Sequence, residues 1–160
     1  MSALQVEPPE WMTEDLRIFE DGVAKFMERE VAPNQERYMK QQGVDRALWK
    51  KAGEYGLLCA SMPEEYGGAG GTFAHEAVII DQLGKKAGDG WGITLHNAIV
   101  APYILHYGSE EQKKRWLPRL ASGELVGAIA MTEPGTGSDL QNIKTNAKRD
   151  GNHYVLNGSK

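Results

Sequence analysis

With 160 residues, 41% of them apolar and 25% charged, the chain has the length and balance of one globular domain of ordinary size. A formal net charge of −4, with both signs interspersed, gives no basic field to neutralise a phosphate backbone and argues against nucleic acid as a partner. Cys59 is the only cysteine, so an internal disulfide and a multi-cysteine metal site are excluded, and a reducing, cytoplasmic setting is the expectation.

The first residues, MSALQVEPPEW, have no basic region followed by an apolar one and no Arg-rich amphipathic pattern, so no targeting segment is expected on this chain. No apolar run approaches the roughly 20 residues of a membrane span. From Thr13 to about Val31, Leu16, Phe19, Val23, Phe26, Met27 and Val31 recur on one face of an amphipathic helix, with Thr13 as N-cap and acids in the first turn. Residues 34–42 predict a shorter helix. Residues 45–55 predict another, with Asp45 as N-cap, Leu48, Trp49 and Ala52 buried, and Gly56 closing it in the left-handed region.

SMPEEYGGAGG is a loop by composition. Its GGAGG matches neither GxGxxG nor GxxxxGK[ST] and follows no parallel-strand pattern, so a plain connection is favoured over a phosphate cradle. Thr72 then caps a helix running FAHEAVIIDQLGKKAG, whose HEAVI lacks the second histidine of a zinc-binding HExxH. The four histidines, at 75, 96, 106 and 153, have no zinc spacing, and no metal is expected. WGITLHNAIVAPYILHY is apolar nearly all round and predicts a helix buried between others, kinked or interrupted at Pro102 and ending at Gly108. Ser109 and Gln112 form a capping box for EEQKKRWLPRLA, in which Trp116, Leu117 and Leu120 are the expected core contacts and KKR a solvated face.

After Gly123 the texture changes. LVGAIAM, residues 125–131, is an apolar run of strand length, residues 143–149 alternate, and DGN leads into HYVLNG, a further strand with a turn pair behind it. The reading is therefore mainly α: an all-α part over 1–124, then a β part over 125–160 that is incomplete. Three short strands leave unpaired edges and no second layer, which implies the N-terminal piece of a longer polypeptide.

TEPGTGSD, residues 132–139, sits between those strands. Gly135 and Gly137 permit torsions closed to other residues, and Pro134 biases Glu133 towards an extended conformation. Successive N–H groups there can bind an anion, with the hydroxyls of Thr132, Thr136 and Ser138 as further donors. Glu133 and Asp139 would repel a pyrophosphate, so they must point away or cap backbone N–H groups. Composition alone weighs a tight turn with polar caps equally with a ligand site.

AMTEPGTGSD resembles the signature of the acyl-CoA dehydrogenases, and PEEYGGAGG, YGSEEQKKRWLPRLASGE and LQNIKTNAKRDGNHYVLNGSK resemble the same family in the same order. The wording AMTEPGTGSDLQNIKTNAKRDG is most similar to long-chain members. The resemblance covers the chain from about Thr13 onward. It implies an N-terminal helical bundle domain followed by the first strands of a truncated β-barrel domain, with a C-terminal helical domain beyond this sequence.

The resemblance also implies an FAD site lined by Ile129, Ala130, Met131, Thr132, Gly137 and Ser138. Main chain around Met131 and Thr132, with the Thr132 hydroxyl, would face the pyrimidine side of the flavin. The Gly137–Ser138 corner would meet its pyrophosphate, and Ser138 would also touch the acyl-CoA substrate. The implied reaction is α,β-dehydrogenation to a trans-2-enoyl-CoA in fatty-acid β-oxidation, with electrons passing to an electron-transfer flavoprotein and a homotetramer as the assembly. The catalytic base and the segment that stacks on the flavin would lie beyond Lys160. Glu133 is read as a structural carboxylate, no residue here is assigned as catalytic, and the chain alone is expected to be inactive. Ile99, Val100 and Ile104 could line the acyl pocket, though buried core is the preferred reading. Alternatives are a relative that reoxidises its flavin with oxygen, as an acyl-CoA oxidase or flavin monooxygenase does, and a non-catalytic helical interaction module.

Overall fold

The computed structural model describes residues 9–86 and 90–160. The expectations for the first eight residues and for the Ala87–Gly88 end of the helix after Thr72 lie outside them. Contacts divide the chain into two compact units, one ending at Gly127 and the other spanning Ala128–Lys160.

In the first unit, α1 (Glu14–Phe26) begins where the extended Thr13 accepts the Leu16 N–H on its hydroxyl at 3.3 Å, with Glu14 and Asp15 in the first turn against the positive end of the helix dipole. Its face at helical spacing buries Leu16, Val23 and Phe26. A π turn (Met27–Val31) and a 3-10 turn (Ala32–Asn34) lead to α2 (Gln35–Gln41). In α3 (Arg46–Glu54), Leu48, Trp49 and Ala52 are buried as their spacing predicts, and Gly56 follows at φ +69°. Asp45 occupies the N-cap position, but its side chain does not cap. Arg37 takes the carboxylate at 2.6 Å and Gln41 at 3.0 Å, since a charged donor outcompetes a neutral backbone N–H.

Next, α4 (Phe73–Lys86) packs along α1, with Phe19 edge-on to His75 at 5.2 Å. The stretch predicted as a fourth long helix is three pieces: α5 (Ile93–Leu95), a π turn (His96–Val100) and α6 (Ala101–Tyr107), with Pro102 in the first turn of α6. Both π turns end on the valine of the same tripeptide pattern, Val31-Ala32-Pro33 and Val100-Ala101-Pro102. A proline removes one N–H and collides with the carbonyl four residues back, and the wider turn relieves that conflict.

The expectation that this stretch is buried all round is corrected. His96, Asn97 and Ala101 are buried, whereas Ile99, Tyr103 and Tyr107 are exposed and Val100 and Ile104 half-buried. The extra residue of a π turn rotates everything after it by roughly 100° on the helical wheel, so a pattern read at constant period misplaces the downstream face. α7 (Glu110–Ala121) forms with the predicted capping box, the Ser109 hydroxyl accepting Gln112 N–H at 3.3 Å and the Gln112 side chain accepting Ser109 N–H at 2.9 Å. Leu117 and Leu120 are buried, while Trp116 is only half-buried because so large a ring is seldom fully enclosed.

Two apolar clusters hold this unit. One joins α1, α3 and α4 through Phe26, Leu48, Trp49, Val78 and Ile79; the other joins Met62 and Tyr66 to Ala101, Leu117 and Leu120. Each fully buried Val, Leu, Ile or Phe contributes about 1.5–3 kcal/mol. Among the described residues no helix is long and apolar enough to cross a membrane.

The second unit contains one antiparallel hairpin, β1 (Asn146–Asp150) paired with β2 (His153–Asn157) in the register Asn146↔Asn157 to Asp150↔His153. Gly151, at φ +58°, takes the first place of the two-residue loop, where a type II′ turn needs glycine. All ten strand residues are exposed. The strand expected over 125–131 is not formed: these residues carry no regular structure. Leu125 N–H is bonded to Arg119 O at 2.9 Å and Gly127 N–H to His96 Nδ1 at 3.0 Å, so the donors a ladder would use face helical residues instead.

Candidate functional site

The segment TEPGTGSD folds into a turn closed by its own backbone. Glu133 N–H donates to Thr136 O and Thr136 N–H to Glu133 O, each at 3.0 Å, with Pro134 and Gly135 at the tip. This pairing leaves Thr132 and Gly137 as the next residues on the two limbs. Neither Gly135 nor Gly137 has positive φ, and a Cβ built on either meets nothing within 4 Å. The torsional latitude that these glycines permit is therefore not used in the left-handed region, because a proline-led turn can close without it.

Glu133 is buried, at 9% exposure. Its carboxylate accepts the Lys144 N–H at 2.8 Å, the Thr145 N–H at 3.0 Å and the Lys160 ammonium at 3.2 Å. Its pKa is lowered to about 2, first by the Thr145 side chain, then by the Lys144 and Thr145 N–H groups and by Lys160. The Thr145 hydroxyl acts by proximity and itself completes no hydrogen bond. Glu133 thus caps backbone N–H groups, as expected of a carboxylate beside a candidate anion site. Asp139 accepts from the Asn142 side chain, and Asn142 N–H donates to Asp139 O at 3.2 Å.

The candidate residues separate into engaged and open groups. Thr136, expected as a donor, is buried and gives its hydroxyl to Asn142 O at 3.1 Å, so it serves the turn rather than a ligand. Ala130, Met131, Thr132, Gly137 and Ser138 are exposed and Ile129 half-buried. The N–H groups of Met131, Thr132, Gly137 and Ser138 and the hydroxyls of Thr132 and Ser138 donate to no described residue. The second unit therefore brings together an open set of donors beside two glycines that leave main chain uncovered, with its nearest carboxylates committed elsewhere. Such a set fits a ligand rich in acceptor atoms, as flavin carbonyls and phosphate oxygens are.

Lys160 was not anticipated as part of this site. It donates to Met131 O at 2.9 Å as well as pairing with Glu133, across 29 positions of sequence. No local pattern predicts that contact, since only the fold brings residue 160 to residue 131.

The helical unit holds a different polar centre. Asn97 Oδ1 accepts the Cys59 N–H at 3.0 Å, and its Nδ2 donates to Leu57 O at 2.7 Å and to Glu76 at 2.9 Å. Glu76 also accepts the Ser61 N–H at 2.9 Å and the Ser61 hydroxyl at 3.1 Å. His96 accepts the Gly127 N–H on Nδ1 and lies 3.2 Å from Leu120 O through Nε2, which sets the neutral tautomer with the proton on Nε2. Burial pushes its pKa down, partly offset by the Leu120 carbonyl. Every polar side chain of this centre is satisfied within the fold, so it reads as structural cross-bracing around the second π turn. Among the described residues no cluster of His, Cys, Asp and Glu could hold a metal ion.

The other glycine-rich loop, Gly67 to Gly71, is closed as well. The N–H groups of Gly67, Gly68, Gly70 and Gly71 donate to Glu64 O, Pro63 O, Met62 O and Ala60 O at 2.8–3.2 Å. No donor of these four glycines is left for a phosphate, in accord with a connecting loop.

Sequence profiles of two domains match this chain: "Acyl-CoA dehydrogenase, N-terminal domain" over residues 13–124 and "Acyl-CoA dehydrogenase, middle domain" over residues 128–160. The chain belongs to the acyl-CoA dehydrogenase family. The pig mitochondrial long-chain specific acyl-CoA dehydrogenase is 48% identical over 143 residues, covering 89% of this chain and 33% of that protein. An acyl-CoA dehydrogenase from Geobacillus kaustophilus superposes with a TM-score of 0.89 at 46% identity, covering 94% of this chain and 40% of that one. An acyl-CoA dehydrogenase from Bacillus anthracis, complexed with FAD, superposes with a TM-score of 0.81 at 37% identity over 96% of this chain and 27% of that one. The chain thus spans about a third of the length of its pig relative. It carries the mainly helical N-terminal fold of the family, and its residues 128–160 match the middle domain.

Proposed function

We propose that this chain supplies the N-terminal domain and the first part of the middle domain of an FAD-dependent acyl-CoA dehydrogenase. The reaction is α,β-dehydrogenation of an acyl-CoA thioester to the trans-2-enoyl-CoA in fatty-acid β-oxidation, with long-chain thioesters as the preferred class. The complete enzyme passes its electrons to an electron-transfer flavoprotein and works as a homotetramer. The observation that carries this reading is the open donor set of the Glu133–Thr136 turn in a chain of this family. The substrate class rests on similarity to the pig long-chain enzyme.

In this reading Ile129, Ala130, Met131, Thr132, Gly137 and Ser138 hold FAD, and Ser138 also contacts the acyl-CoA. When bound, the flavin supplies the acceptor for the hydride equivalent removed from the β-carbon. The chain's own contribution is electrostatic and steric. The Met131 and Thr132 N–H groups with the Thr132 hydroxyl stabilise negative charge on the cofactor's polar edge, and the uncovered main chain at Gly137–Ser138 admits a phosphate. Glu133 cannot serve as the α-proton base, because its carboxylate is committed to two backbone N–H groups and Lys160. The base belongs to another part of the polypeptide.

The test uses the complete polypeptide that carries this sequence. Palmitoyl-CoA and octanoyl-CoA are supplied anaerobically while flavin absorbance is followed, and turnover is then compared with an electron-transfer acceptor and with oxygen. Bleaching by palmitoyl-CoA, an enoyl-CoA product and turnover with the acceptor are the expected results. Turnover supported by oxygen alone would transfer the chain to the oxidase class, and absence of bleaching with either thioester would end the reading.

A further inference from the structure

We propose that Lys160, held by Glu133, is a positioning residue that aims the Thr132 N–H at the cofactor; this rests on the FAD site proposed above. Lys160 Nζ donates to Met131 O at 2.9 Å and pairs with Glu133 Oε1 at 3.2 Å. Met131 O belongs to the same peptide unit as the Thr132 N–H. A peptide is planar and trans, so its carbonyl and its N–H point to opposite sides of the chain. Tying the carbonyl to one side therefore sets the direction of the N–H on the other.

The surroundings make this an oriented device rather than a chance surface pair. Lys160 is the one cation paired with Glu133 among the described residues, and its side chain is 28% exposed against 6% for that of Glu133. The carboxylate is also anchored by the Lys144 N–H on Oε2 and by the Thr145 N–H on Oε1, the oxygen that Lys160 meets; these two N–H groups end the segment leading into β1. The main chain of Glu133 is pinned in turn by its two bonds to Thr136. The ammonium thus has a fixed counter-charge, and the Met131 carbonyl a fixed donor. Thr132 N–H meets no acceptor among the described residues. A free loop would let that peptide rotate, and ordering it would fall on the binding step, whereas this arrangement orders it beforehand.

The experiment measures FAD binding to the apo form of the complete protein by fluorescence titration, the absorption spectrum of the bound flavin, and the melting temperature of the apo form. Lys160→Met keeps the length and apolar stem but removes the donor; a lost bond of this charged kind corresponds to roughly tenfold weaker FAD binding. A shift of the flavin absorption band is expected with it, and an apo melting temperature lowered by no more than the loss of one partly exposed ion pair gives, about 2–4 °C. Lys160→Arg restores binding to within about twofold, because it again offers a cation to both oxygens. Glu133→Gln leaves Lys160 without its counter-charge and reproduces the spectral shift. FAD affinity and spectrum unchanged in Lys160→Met would overturn the proposal. So would equal losses in Lys160→Met and Lys160→Arg accompanied by an apo melting temperature lowered beyond that range, which would make the role structural. A parent protein that binds no FAD would instead overturn the FAD site itself, so the two failures are distinct.

Discussion

The two glycine-rich loops of this chain look alike in composition and differ in what their glycines are for. In Gly67–Gly71 the backbone requires them. Gly67 and Gly70 have φ of +83° and +68°, a Cβ on Gly68 would lie 2.2 Å from Met62 O, and each of the four glycine N–H groups is bonded within the fold. In Glu133–Ser138 it does not: Gly135 and Gly137 lie outside the left-handed region and have open space where a side chain would be. A glycine that the fold needs is explained by packing; one with open space, as Gly22, Gly43, Gly84 and Gly92 also have, points to a ligand only where free N–H groups accompany it, as they do at Gly137 and Ser138. The contrast separates a connection from a candidate ligand site more sharply than any count of glycines.

The contrast can be broken by substitution. Gly68→Ala drives a methyl group into the Met62 backbone, where nothing flexible can give way, and is expected to cost about 3 kcal/mol in chemical denaturation of the complete protein. A loss below about 1 kcal/mol would show that the loop can shift, and would remove the argument from fit. Thr136→Val removes the donor of a part-buried bond to the Asn142 carbonyl and is expected to cost about 1 kcal/mol, with the turn still formed. Gly135→Ala is expected to change stability by less than about 0.5 kcal/mol. It should nevertheless weaken FAD binding by titration, and an unchanged affinity would make Gly135 dispensable to the site.

Acid gives the gentlest separation of the two units. Burial holds the native pKa of His96 below its ordinary 6.5, so its contribution to stability is complete above pH 6.5 and is lost as pH falls below that value. Glu133, at about 2 against an ordinary 4.5, contributes fully above pH 4.5 and loses that contribution as pH falls from 4.5 towards 2. The helical unit should therefore feel acid first. All four tryptophans lie before Gly127, and Trp49 is 5.1 Å from His96, so their fluorescence reports the helical unit alone. Fluorescence that changes only together with the Tyr154 ring signals of the hairpin by NMR would merge the two titrations into one event.

Much of the helical unit was legible in order. The Thr13 cap, the Leu48–Trp49–Ala52 face and the Ser109–Gln112 capping box are each written within a few residues, because helix starts and faces depend on neighbours three or four positions apart. The exposed face of α6 was not legible, because the π turn before it changes the period on which the pattern was read. Nor was the absence of a strand over 125–131, since its residues have strand character while the N–H groups of Leu125 and Gly127 are taken by Arg119 O and His96. Within the candidate site, the turn residues and the structural place of Glu133 could be read from TEPGTGSD. The engagement of Thr136 with Asn142 could not, because a hydroxyl next to a glycine looks the same whether it faces a ligand or the turn's own backbone.

The sequence by itself determined the family, the mainly helical fold and the segment in which the open donors lie, because those are carried by local spacing and by an unbroken signature. The tertiary structure alone decided which of those donors stay open and what orients them. Glu133 meets residues 144, 145 and 160, and Lys160 returns to Met131, through contacts that span 11 to 29 positions. Hydrogen bonds act over about 3 Å while sequence separation is unconstrained, so the direction of the Thr132 N–H is set only once the chain has folded back on itself.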